Sequence, residues 1–154
     1  AMEASAREAD AEVVKLRSQL AGTGVGVERR GDVLVLSLPS GLTFSSGSAT
    51  VNTKGRSSLK SGAGALKASY SEKTFWVEGH TDNEQLKKSK EKWKTNLRLS
   101  IERAMAVSDY LIAEMGVEGS QIRIAGHGEF DPAVANDNQK NRAKNRRVEI
   151  LILD

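Results

Sequence analysis

The sequence contains no cysteine. That excludes disulfide staples and thiolate metal sites, and it suits an oxidising or a reducing compartment equally. Aromatic residues make up only 5% of the 154 positions, so Val, Leu, Ile and Ala must supply the core. No apolar run approaches the roughly 20 residues that span a bilayer, and no cleavable signal pattern opens the chain. Ala1-Met2 reads as a cloning remnant, so a natural N-terminal segment is expected ahead of Glu3. No internal repeat is visible. Histidine occurs only at positions 80 and 127, so a metal would need an acid beside both of them.

What the chain does have is enough length for one domain plus an appendage, with a core that needs no staple. Charged residues are 28% of the total, as in a soluble protein. The net charge is only +3, but the positive residues cluster. Lys87 to Lys94 holds five lysines in eight residues, and Lys140 to Arg147 holds five basic residues in eight. Such runs are either solvated surface or a landing site for a polyanion. A single aromatic, Trp93, lies among the lysines. That is thin for base stacking, so nucleic acid is not the expected partner.

Residues 3–20 read as a polar helix with Ala6, Ala9, Val13, Leu16 and Leu20 at heptad spacing. Both a homodimeric coiled coil and docking on the rest of the chain satisfy that seam. The expected organisation is a helical linker over 1–21 and a domain over 22–154. Val25 to Arg30 and Val33 to Leu38 read as a hairpin around Gly31-Asp32, which suits a type II′ turn. Phe44 to Ala49 is a small-residue loop. Asn52 to Ser69 reads as a helix with Leu59, Ala63, Leu66 and Tyr70 on one side. Thr74 to Gly79 is a strand, and Asn83 to Lys94 reads as a polar excursion outside the core.

A strong helix is expected from Leu97 to Met115, with Leu97, Ile101, Ala104, Leu111, Ile112 and Met115 as its apolar stripe. Thr95 or Asn96 would cap it and Gly116 would end it. Gln121 to Ala125 is a strand, Gly126 to Pro132 a loop, and Asn138 to Asn145 a short helix. Arg147 to Leu153 closes the chain as a strand, with Val148, Ile150 and Ile152 alternating against Glu149. The fold class is α+β: a mixed sheet packed against helices.

Asp82 follows the strand through Gly79, where a carboxylate is held rigidly enough to recognise an ammonium group. The competing reading is an ordinary Asx-turn acid. Asn96 and Arg103 are seven residues apart, so they differ by only about 20° around a helix. They fall on a flank about 100° from the predicted apolar stripe, where Arg103 can offer its planar fork to a carboxylate. Arg146 and Arg147 point to opposite faces of a strand, so at most one serves a given site. His80, Asp82 and His127 invite a metal or hydrolase reading, but no HExxH helix or nucleophile elbow accompanies them. The glycines at 22, 24 and 26 do not open a helix after a strand, so a phosphate loop is unsupported.

Taken in order, several motifs resemble the OmpA-like domain of the OmpA/MotB/Pal superfamily. They are Val77-Glu-Gly-His-Thr-Asp-Asn83, Asn96-x-x-Leu-Ser-x-x-Arg-Ala104, Val107-x-x-Tyr-Leu111 and Ile124-Ala-Gly-His-Gly-Glu129 with Pro132 and Asn136. Asn145-Arg-Arg-Val-Glu-Ile150 follows. The resemblance covers about Val33 to Leu153. It implies a βαβαββ sandwich, preceded here by a helix and a hairpin, that binds bacterial peptidoglycan without catalysis, cofactor or metal. The implied ligand is the stem-peptide diamino acid, usually diaminopimelate. Asp82 would grip its ammonium and Arg103 a carboxylate. Asn96 and Arg146 would complete a polar wall lined by Thr81 and Leu97, and Thr50 would add a further polar contact. The link Glu84 to Lys94 is longer than in many members and resembles the MotB-like branch. It is expected to be a loop that leaves Asp82 and Arg103 free to meet. The implied setting is the periplasm, with a tether to the inner or outer membrane. A polyanion binder, or a metal-dependent wall hydrolase using His80 and His127, stands as the alternative.

Overall fold

A computed structural model describes residues 2–154 of the chain. Ala1, and the side chains of residues 2–6 and of Ala9, lie outside the described residues, and with them the expected seam positions Ala6 and Ala9.

Helix α1 spans Met2–Gln19 and is followed by strands β1 (Gly26–Arg30) and β2 (Val33–Pro39). The hairpin turn takes positive φ at Gly31 (60°) and not at Asp32, as a II′ turn requires. A single turn, α2 (Ser40–Thr43), leads to α3 (Thr53–Ser69), whose N-cap Asn52 accepts from the Gly55 N–H at 2.7 Å. Strand β3 (Thr74–His80), the short α4 (Lys90–Trp93), α5 (Asn96–Ala113), β4 (Ile122–Gly128), α6 (Gln139–Asn145) and β5 (Arg147–Leu153) complete the chain. Thr95 caps α5 by accepting from the Arg98 N–H, and Gly116 follows the helix with φ 69°.

The sheet order is β1-β2-β5-β3-β4. β3 and β4 run parallel and every other neighbouring pair is antiparallel. A parallel pair needs a long crossover, and α5 supplies it. From β2 onward, with the single-turn elements and α6 set aside, the order is the expected βαβαββ of an α+β fold. Leu34, Leu36, Leu38, Phe75, Val77, Val148 and Ile150 form one core with Leu59, Ala63 and Leu66 of α3 and Ala104, Val107 and Leu111 of α5. Val13, Leu16 and Leu20 of α1 belong to that same core, so the described part of the heptad seam packs within the chain.

Several expectations are corrected. α5 buries only part of the predicted stripe: Ala104 and Leu111 are fully buried, but Leu97, Ile101 and Ile112 are each about two-fifths exposed. The buried face is Asn96, Leu99, Ser100, Arg103, Ala104, Val107, Ser108 and Leu111. Asn96 and Arg103 therefore face inward instead of lying on a solvated flank. Two glycines explain it. A Cβ on Gly79 would come within 1.9 Å of the Ser100 carbonyl oxygen, and one on Gly126 within 2.2 Å of Ile101 Cγ1. The helix rests directly on the bare backbone of β3 and β4, and small Ser100 fits where leucine cannot.

β4 also runs three residues further than expected, carrying His127 onto the sheet beyond a bulge at Gly79/His80. Glu149, read as the polar side of β5, is 1% exposed because basic side chains cover it. The segment before α5 is not a free excursion: Trp93 is buried.

Candidate functional site

Beyond β3 the Thr81 N–H donates to the Gly128 carbonyl at 2.8 Å, which ties the end of β3 to the end of β4. Asp82 follows and is 6% exposed. Its Oδ1 accepts from the Glu84 N–H at 2.9 Å, and its Oδ2 forms an ion pair with Arg146 Nη1. The Thr81 hydroxyl donates to the Asp82 carbonyl at 2.8 Å. Asn96, at the start of α5, donates through Nδ2 to the carbonyls of Asp82 (3.4 Å) and Glu84 (2.9 Å). The turn is thus fixed from both sides. An ionised carboxylate has about four lone-pair positions, and Asp82 spends two of them on protein donors.

Arg103 completes the group from the buried face of α5. Its Nε donates to the Ser48 carbonyl at 2.9 Å, and its guanidinium lies over the Phe44 ring, 5.0 Å from the centroid. Among the described residues no acceptor faces its two terminal nitrogens. They are also not among the fully enclosed unpaired atoms, so solvent reaches them. Burial, and then the positive charge of Arg146, push the guanidinium down to about 10, while Asp82 pulls the other way. Two guanidiniums therefore share one carboxylate, and one fork is left open. That arrangement can take an anionic oxygen pair at Arg103 and a hydrogen-bond donor at Asp82.

Thr81, Asp82, Asn96 and Arg146 are joined by direct hydrogen bonds or one shared residue, and Arg103 interacts electrostatically with Asp82 and Arg146. Leu97 sits beside them at the mouth of α5, 41% exposed, with its backbone against Gly128. Thr50 is exposed and lines a separate cleft of about 230 Å³ with Lys92, Trp93, Glu102 and Met105, which includes neither Asp82 nor Arg103. Arg147 turns the other way, as expected of its neighbour in a strand, and pairs with Glu149.

Some contributors carried no sequence signal. The Ser48 and Glu84 carbonyls act through the backbone, which any residue supplies. Gln139 and Arg142 of α6 hold the side chains of Glu84 and Asn83. Asn145 is fully buried and clamps Val134 and Asn136.

The sequence pattern of the OmpA family matches residues 43–146, which is more than half of the chain. The chain belongs to the OmpA family. It is 39% identical to Probable lipoprotein YiaD of Escherichia coli over 143 residues, 93% of this chain and 62% of that protein. Over 76 residues it is 41% identical to Peptidoglycan-binding protein ArfA of Mycobacterium tuberculosis, 49% of this chain and 21% of that protein. The crystal structure of the periplasmic domain of Helicobacter pylori MotB superposes with a TM-score of 0.77 at 30% identity, covering 86% of this chain and 81% of that one. The chain spans less than two thirds of the length of these curated relatives.

The OmpA-family sheet has a second polar cluster on the face away from α5. His80 pairs in register with Arg147, and Glu78 with Glu149, one residue out of phase with Gly79. The rings of His80 and His127 stack at 4.7 Å with 6° between planes, and His127 Nε2 lies 2.9 Å from Glu78 Oε1. The ligand atoms of Glu78, His80 and His127 lie within 4.8 Å of one another. Parallel stacked rings, however, aim their nitrogens side by side, whereas a metal needs them convergent. His80 Nε2 is 3.4 Å from Glu149 Oε1, close enough for electrostatics but without hydrogen-bond geometry. Burial alone would push the Glu149 carboxyl up. The opposing pull of His80, Arg30 and Arg147 wins and holds it well below the usual range. In this OmpA-family domain His80 thus lies buried beside the Glu149 ion pairs that join β1 to β5, and half-buried His127 lies against Glu78.

Proposed function

We propose that this domain binds peptidoglycan non-covalently, through the free end of the stem-peptide diamino acid, and so anchors an envelope complex to the cell wall. The observation that carries the reading is the open guanidinium fork of buried Arg103 beside the Asp82–Arg146 pair. The free end of diaminopimelate bears a carboxylate and an ammonium on one carbon. Its carboxylate suits the terminal nitrogens of Arg103, and its ammonium suits the unused lone pairs of Asp82. Asn96, Thr81 and Arg146 keep Asp82 in place, and Leu97 offers apolar cover at the rim. The reading involves no nucleophile and no turnover, in keeping with a relative named for peptidoglycan binding. It sets the domain in the periplasm, held by a tether to the inner or outer membrane.

Purified sacculi provide the test. The wild-type chain should co-sediment with them, and meso-diaminopimelate should compete where Nα-acetyl-L-lysine amide, which has a side-chain ammonium but no free carboxylate, does not. Asp82→Ala and Arg103→Ala should each weaken binding by roughly tenfold to a hundredfold, since a charge-assisted hydrogen bond contributes about 1.5–3 kcal/mol. Both should keep a native circular dichroism spectrum. Undiminished co-sedimentation of both variants, or equal competition by the blocked lysine, would overturn the assignment.

A further inference from the structure

We infer that Trp93, in the lysine-rich segment ahead of α5, is a positioning residue that sets the orientation of Arg103 through the backbone of the Gly47–Ser48 loop. The inference rests on the diamino-acid reading of the site for its functional consequence, but its structural basis is independent of it. Trp93 is 8% exposed, and its indole N–H donates to the Gly47 carbonyl at 2.7 Å. The very next carbonyl, that of Ser48, accepts from Arg103 Nε at 2.9 Å. One peptide unit therefore separates the indole from the guanidinium.

The loop favours glycine here by its backbone conformation, and the space beside it is tight. Gly47 has φ 66°, and a Cβ there would lie 3.1 Å from the Ser89 hydroxyl oxygen and 3.2 Å from Ser89 Cβ. Lys94, which closes the single turn α4, takes a positive φ of 73°, alone among the described residues other than glycine. A strained residue of this kind is kept where its surroundings over-determine it. Here the segment must turn sharply between the indole anchor and the Thr95 cap of α5. At the base of the loop Phe44 bridges to Val51, and the Phe44 ring lies under the guanidinium. The loop is thus held at its base and by the indole, and Arg103 hangs from its inner side.

The physical consequence follows from charge. Arg103 feels the attraction of Asp82, and among the described residues the Ser48 carbonyl and the Phe44 ring hold it in place. If the Gly47–Ser48 peptide rotates, the guanidinium is free to turn toward Asp82 and fill the lone pairs that the ligand's ammonium would use. The segment is then neither a spacer nor a lid. It holds the two charges of the site apart.

The test compares the wild-type chain with Trp93→Phe, which keeps an aromatic ring and removes the N–H, and with Trp93→Leu as a second variant of the same anchor. The first readout is ligand-free: solvent exchange of the Arg103 Nε–H, followed by NMR. Exchange should accelerate about fivefold to tenfold in Trp93→Phe, the effect of one lost neutral hydrogen bond. The second readout is titration with a muropeptide carrying meso-diaminopimelate. Its affinity should fall by about the same factor, with the melting midpoint nearly unchanged. Unaltered Nε–H exchange in folded Trp93 variants overturns the inference, and so does faster exchange with undiminished muropeptide affinity. If the wild-type chain itself fails to bind the muropeptide, the diamino-acid reading fails, and the exchange result still decides whether Trp93 orients Arg103.

Discussion

Arg103 is a charged side chain that the fold buries without giving it a full set of partners. Its Nε is satisfied, and its terminal nitrogens are not. The lowered pKa means that the folded state disfavours the charged form, so stability would rise, not fall, as pH climbed through about 10. A residue kept under such conditions serves a ligand more readily than it serves the fold. Arg103→Met should therefore leave unfolding free energy within about 1 kcal/mol of wild type, or raise it, while weakening sacculus binding as much as Arg103→Ala does. Urea unfolding measured alongside co-sedimentation checks both halves. A loss of several kcal/mol would instead make Arg103 a structural residue. At this scale the sequence singled out Asp82, Asn96, Arg103 and Arg146, which the structure brings together, with Asn96 and Arg103 on the buried face of α5 and not on the expected flank. It was silent on the carbonyls of Ser48 and Glu84, because backbone acceptors leave no mark on residue identity.

Among the elements, α5 shows why a hydrophobic stripe can mislead. Periodicity counts apolar residues, but this helix buries Ser100 and Ser108 completely and leaves Leu97 and Ile101 partly in water. The serine hydroxyls donate to Leu97 and Ala104 carbonyls within the helix, so their burial leaves no unsatisfied donor. Ser100 Oγ also accepts from the Gly128 N–H at 2.9 Å, which locks α5 to β4 beside the site.

On the far face of the sheet, Glu149 joins Arg30 of β1 and Arg147 of β5. Its carboxyl is lowered in the folded chain, so its contribution is complete above the unfolded carboxylate value of about 4.3. That contribution drains away as pH falls below it. Wild-type stability should thus decline from pH 5 to pH 3. Glu149→Gln should flatten that decline while losing about 3–5 kcal/mol at pH 7, because two guanidiniums are left beside a neutral group. Thermal melts across that pH range measure both effects, and a slope as steep in the variant as in wild type would exclude Glu149 as its source.

For the molecule as a whole, the N-terminal helix matters most. Val13, Leu16 and Leu20 are buried against the domain, Arg17 Nε donates to the Val27 carbonyl at 3.1 Å, and Tyr70 reaches Glu12. Burial, with Glu12 nearby, pushes the Tyr70 hydroxyl up to about 12. The apolar seam is already covered within one chain. Leu16→Ala should then cost about 2–5 kcal/mol, as for other buried leucines. Urea unfolding should detect this with no change in sedimentation coefficient, and a stability loss below about 1 kcal/mol would mean that the helix is only loosely applied. Heptad spacing alone did not separate this docking from a coiled coil, because both bury the same seam.

The sequence by itself determined the alternation of strands and helices, the hairpin turn at Gly31, a cap for α5 at Thr95 or Asn96, and the chemistry offered by Asp82 and Arg103. Those features depend on local periodicity, backbone preference and side-chain type, all of which are written residue by residue. Only the tertiary structure decided which face of α5 is buried, which arginine pairs with Asp82, where His127 and Glu149 lie, and that Trp93 reaches the loop behind Arg103. These outcomes depend on close approach between segments far apart in the chain. Bare glycine backbone at 79 and 126, and an indole reaching 46 residues back to Gly47, set those distances.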